Sequence, residues 1–147
     1  MKNLNDILVR MQTLLTELEA VLTEEIKQLS RLQINPVSLQ VVSDNKSRLL
    51  SAINFYDRQR KEEERISYVK APYIKEHALA TLWDKITRSV KHANELNQKS
   101  FRLFEIHMHK INELKKVLNQ PGITLALYNE NGQTNSKNSG NNYNISI

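Results

Sequence analysis

The placement of glycine and proline constrains this chain more than any other feature of its sequence. All three glycines, Gly122, Gly132 and Gly140, follow Pro121, and the first 120 residues contain none. The only other prolines are Pro36 and Pro72. Helix interiors exclude both residue types, so the pattern predicts a helical body over 1–120, broken twice, and a flexible, non-helical tail over 121–147. That tail carries one apolar stretch, Ile123 to Tyr128, followed by Asn129, Glu130, Asn131, Gly132 and a polar run. An apolar patch on a segment otherwise too polar to fold points to contact with another molecule. The first expectation is therefore a binding protein rather than an enzyme.

Apolar spacing divides the body into three helices, expected at about 3–33, 36–66 and 74–119. In the first, Leu4, Ile7, Met11, Leu14, Leu18 and Val21 alternate steps of three and four, the spacing of one helical stripe. Leu8, Leu15 and Leu22 widen it, and Ile26, Leu29 and Leu32 carry it on; Glu25 falls where an apolar residue belongs, so the seam is expected to shift to Leu22 and Ile26. Asn35-Pro36 reads as a cap followed by a first-turn proline. The second helix carries Leu39, Val42, Leu49, Ile53 and Tyr56, then enters Arg58 to Arg65, a run read as an exposed helix end laced with ion pairs. After Pro72 the third stripe runs through Leu79, Leu82, Ile86, Val90, Ala93 and Leu96, then Phe101, Phe104, Met108, Ile111, Leu114 and Leu118. At ~1.5 Å per residue that helix would approach 70 Å. The expected fold class is all-α, either an elongated antiparallel helical hairpin or a three-helix coiled-coil bundle.

Composition excludes much chemistry. There is no cysteine, so disulfides, thiolate metal sites and a cysteine nucleophile are absent. His107 and His109 are two apart and point in different directions from a helix, and neither His77 nor His92 joins them at metal-binding spacing. No nucleophile motif or glycine-rich phosphate loop occurs before the tail. The expectations are no catalytic residue, no metal and no cofactor. Residues 73–120 hold nine basic and five acidic side chains, but these interleave as on a solvated helix face, so nucleic acid is not expected as a partner. No run approaches a membrane span or a signal-peptide core, which predicts a cytoplasmic protein.

Several stretches carry a resemblance to a known family. They are Leu4 to Leu8, Val21 to Glu25, Gln33 to Asn35, Lys46 to Ile53, Leu96 to Gln98, Leu125 to Thr134, and the ending Ile145 to Ile147. In these the chain resembles the FlgN family of flagellar type III export chaperones, across nearly its whole length. The family's tail motif usually reads Leu-Tyr-Gly-x-Asp-Gly, and the matching residues here are Leu127, Tyr128, Asn129, Glu130, Asn131 and Gly132. Asn129 stands for the usual glycine and Asn131 for the usual aspartate. Asparagine tolerates a left-handed backbone better than other non-glycine residues, so the first change is compatible with the turn.

The resemblance implies that the cargo is the pair of hook–filament junction proteins (hook-associated proteins), held by their carboxy-terminal helical segments until export. The resemblance gives cargo binding to the carboxy-terminal part of the chain, and the apolar residues there make Phe101, Phe104, Met108, Ile111, Leu114 and Leu118, with Ile123 and Leu125, the expected contact surface. Leu127, Tyr128 and Gly132 would dock on the cytoplasmic domain of the export-gate protein FlhA. The export ATPase complex is a further implied partner, and membrane contact would be indirect. The helical body alone fits equally a coiled-coil structural or regulatory protein with no export role, and its heptads leave the oligomeric state open.

Overall fold

The computed structural model describes residues 2–119, which form three α-helices and, within that range, no strand. They are α1 (Lys2–Leu29), α2 (Pro36–Ser67) and α3 (His77–Leu118). Side-chain pairs across the helices fix their directions. Gln12 Nε2 donates to Ser89 Oγ at 3.2 Å, and His107 Nε2 meets the Leu29 carbonyl at 2.6 Å, so α1 and α3 run parallel. Glu25 meets Lys46, and the Arg10 guanidinium lies 5.9 Å from the Tyr56 ring, so α2 runs antiparallel to α1. The result is a three-helix bundle in which α1 packs on both other helices.

The sequence stripes become one core. Leu4, Leu8, Leu15, Leu18 and Leu22 of α1 are fully covered, while Ile7 and Val21 lie at its margin. Leu49, Leu50 and Ile53 close it from α2, and Leu79, Trp83, Ile86, Val90 and Ala93 from α3. Each fully buried aliphatic or aromatic side chain contributes about 1.5–3 kcal/mol.

Helix ends follow local chemistry. Asn35 caps α2, its Oδ1 accepting from the N–H groups of Val37 and Ser38 at 3.0 and 3.2 Å, with Pro36 in the first turn. Helix α1 stops at Leu29 rather than 33 because the chain turns at Ser30, and Leu32, expected on the stripe, is fully exposed. Helix α3 starts at His77 rather than 74. Residues 70–76 are consumed by two turns, with Tyr73 N–H donating to the Lys70 carbonyl and Glu76 N–H to that of Tyr73.

The polar run 58–65 is not wholly exposed, contrary to its composition. Arg60 is only 2 % exposed, and its Nε donates to Asp57 Oδ1 at 2.9 Å, with Nη1 at 3.2 Å from Glu64 Oε2 and 3.3 Å from the Tyr73 hydroxyl. Its guanidinium lies 4.4 Å from the centre of Trp83, within cation–π range. Glu64 Oε2 also accepts from Ala71 N–H at 2.7 Å, which ties the α2–α3 connection to the same group. Burial opposes the Arg60 charge, but the hydrogen bond with Tyr73 and the Asp57 carboxylate outweigh it, and its pKa is raised.

Tyr73 is buried against this guanidinium, and burial pushes its pKa from the ordinary 10.0 to about 12. Above pH 10 the unfolded chain releases a proton that the folded chain keeps until about pH 12. The stability Tyr73 contributes is therefore complete below pH 10 and declines as pH rises through that window. Urea midpoints measured from pH 9 to 12 should fall less steeply for Tyr73→Phe than for the parent chain. Parallel curves would mean that Tyr73 is not the group responsible.

Candidate functional site

Helix α3 is longer than its neighbours and outruns α1. The last α1 residue, Leu29, offers a carbonyl with no intrahelical partner, and His107 Nε2–H donates to it at 2.6 Å. A carbonyl only accepts, so Nε2 carries the proton. Residues 108–118 extend α3 beyond this point by about 16 Å at ~1.5 Å per residue.

One layer below, a polar node joins all three helices. The Lys46 ammonium donates to Glu25 Oε1 at 3.0 Å and to Asn97 Oδ1 at 3.4 Å, and the Ser100 hydroxyl donates to the same Glu25 oxygen. All four residues are buried. Glu25, which interrupts the apolar stripe of α1, is therefore a buried hydrogen-bonding partner rather than a shifted seam. Asn97 and Ser100 occupy core-facing turns of α3 in the same way. Charge pairs of this kind are costly to bury unless their hydrogen bonds are made, as they are here.

Ser100 is the last buried residue of α3: from Phe101 to Asn119 nothing is buried. The candidate residues Phe101, Phe104, Met108, Ile111 and Leu118 continue the core face of the helix and are half-buried, while Leu114 is 47 % exposed. The fold thus brings six of the sequence-chosen residues onto one helix end. The other chosen positions, Ile123, Leu125, Leu127, Tyr128 and Gly132, lie outside the described residues.

Sequence reasoning missed three apolar residues there. Leu103, Ile106 and Val117 form a separate row on the side of α3 that turns outward, with Ile106 and Val117 50 % and 61 % exposed. Their spacing of three and eleven was visible, but Lys110 stands among them and hides the row from a search for unbroken stripes.

Among the described residues no group of three His, Cys, Asp or Glu side chains could hold a metal ion, and no helix is long and apolar enough to cross a membrane. A shallow open groove lined by Asn3, Asp6, Ile7, Gln59, Glu62 and Glu63 lies at the opposite end of the bundle. It has no histidine or hydroxyl nucleophile.

Comparison with known proteins gives a consistent result. Residues 1–136 match the FlgN protein family. The flagella synthesis protein FlgN of Salmonella typhimurium is 32% identical over 140 residues, covering 95% of this chain and 96% of its own length. Its counterpart from Escherichia coli K12 is 27% identical over the same coverage, and that of Yersinia enterocolitica 28% over 106 residues, or 72% of each chain. No solved structure matches.

Proposed function

The chain belongs to the FlgN family of flagellar export chaperones, and from that premise we propose that it escorts the hook–filament junction proteins to the export gate. The cargo's carboxy-terminal helical segment lies along the Phe101–Leu118 stripe of α3. Tyr128 with Leu127 and Gly132 then docks the complex on the cytoplasmic domain of FlhA, with the export ATPase complex as a further partner. The work is done in the cytoplasm, by binding alone, without catalysis, metal or cofactor.

The observation that carries this reading is the α3 end. It continues the core face past the last α1 residue, yet buries none of its apolar side chains. An amphipathic helix laid along such a face buries its own apolar stripe and is protected from self-association. Each buried Leu, Ile or Phe contributes about 1.5–3 kcal/mol before ordering costs, so four to six contacts support roughly submicromolar binding. The node at Glu25 and Lys46 and the His107 bond hold the base of the stripe to the bundle.

Calorimetric titration with the purified carboxy-terminal segments of the two junction proteins tests the proposal, with an unrelated amphipathic helix as control. Saturable one-to-one binding to the junction segments alone is expected. Equal or absent binding to all three would leave a helical scaffold with some other partner. In the same assay Tyr128→Ala should keep cargo and lose binding to the FlhA cytoplasmic domain, whereas loss of cargo would refute the division of roles.

A further inference from the structure

The outward row on α3 has a property that the cargo stripe does not share. Reading up one face of the helix, Thr81, Lys85, Arg88, His92, Glu95 and Lys99 are all polar or charged and all exposed. From Leu103 onward the same face gains Leu103, Ile106 and Val117, with Lys110 and Glu113 among them, and it stays exposed apart from half-buried Leu103. Scattered surface apolar residues are ordinary. Apolar residues gathered on a row that is wholly polar lower down, beginning in the turn below the His107–Leu29 bond, point to a surface with another partner.

The centre of this row is distinct from that of the cargo stripe. At 100° per residue, Lys99, Leu103, Ile106, Lys110 and Val117 centre about 140° away from Phe104, Met108 and Ile111, with Leu114 at the edge where the two faces adjoin. A packed helix covers a stripe of roughly 100°, so one cargo helix does not reach both faces.

Two unpaired cations belong to the row, Lys99 at its base and Lys110 between Ile106 and Val117. Lys99 and Lys110 are exposed and neither has an ion-pair partner among the described residues. Eleven residues apart, they lie on the same face about 16 Å from one another. Of the nearby acidic residues, Glu105 points elsewhere, and Glu113, on the same face between Lys110 and Val117, pairs with Lys116 at 3.4 Å. The charge argues against the nearer occupants. Two copies of the row would set lysine against lysine. Residues 121–147 contain a single acidic side chain, Glu130, and cannot supply two carboxylates three turns apart.

We propose that Lys99, Leu103, Ile106, Lys110 and Val117 form a second docking face, for an amphipathic protein helix whose apolar stripe is flanked by acidic residues about eleven apart. Apolar contact with Leu103, Ile106 and Val117 holds the helix. Exposed ion pairs add little affinity, so the two lysines mainly steer approach and reject basic helices. The face leaves the cargo stripe free, so a helix can dock here while cargo is held.

Two synthetic helical peptides with one apolar stripe, flanked by Glu in the first and Lys in the second, test this against the full chain. The Glu peptide should bind about tenfold tighter at low salt. Lys99→Glu with Lys110→Glu should reverse that order. Lys75→Glu with Lys91→Glu makes the same change in net charge away from the row and should leave the order intact. Equal loss in both double variants would reduce the effect to bulk charge and overturn the proposal. So would a dimer of the parent chain abolished by Ile106→Asp, which assigns the face to a second copy. Tighter peptide binding by Ile123→Asp with Leu125→Asp would assign it to the chain's own tail and overturn it as well. Binding of the junction segments by the Lys99/Lys110 variant is measured in parallel, so that failure of this face and failure of the chaperone reading are separate results.

Discussion

Lys46→Met is expected to destabilise the protein by about 3–5 kcal/mol, a large part of the ~5–15 kcal/mol that holds a domain of this size. Lys46 and Glu25 are 4 % and 5 % exposed, and the carboxylate's other partner is the Ser100 hydroxyl. Removing the ammonium leaves a buried anion with one neutral donor. Replacing both charges, Glu25→Leu with Lys46→Met, should return most of the loss, because an apolar pair of similar volume matches or exceeds a buried ion pair. Arg65→Ala is the control: its pair with Glu62 is 2.6 Å long but exposed, and little change is expected. Urea unfolding followed by circular dichroism reads all three. A Lys46→Met curve that overlays the Arg65→Ala curve would show that the node is not charged or not closed in solution.

The same node shows where sequence reasoning succeeds and where it stops. Apolar periodicity gave the three helices and their packing faces, because Leu4, Leu8, Ile53, Ile86 and their neighbours recur at helical spacing. The cap at Asn35 followed from one dipeptide. Glu25 was conspicuous as a polar residue in an apolar register, but its meaning depended on Lys46 and Ser100, which are 21 and 75 residues away. Partners so far apart are joined only by the fold. Arg60 failed for a related reason: a run of charges looks uniformly solvated, and only the turn that brings Tyr73 and Trp83 onto the guanidinium distinguishes one arginine from its neighbours. At the candidate site the α3 stripe was legible as a pattern, yet the pattern reads the same for core and for open surface. The early end of α1 at Leu29 leaves it open.

That distinction leads to the second large effect. Ile111→Asp with Leu118→Asp should lower affinity for the junction-protein segments by more than about a hundredfold, since each carboxylate would have to be desolvated against an apolar helix. Helix content and urea midpoint should change little, because both residues lie beyond the His107–Leu29 bond and neither is buried in the bundle. The two double variants therefore form a crossed pair. Glu25→Leu with Lys46→Met alters the base of α3 without touching the stripe, and Ile111→Asp with Leu118→Asp alters the stripe without touching the base. If cargo follows the stripe alone, the bundle serves to hold one helix end out to its partner. Unchanged binding by the stripe variant would move the cargo site elsewhere on the chain. A collapse in stability of that variant would instead make the stripe part of the core that folds the protein.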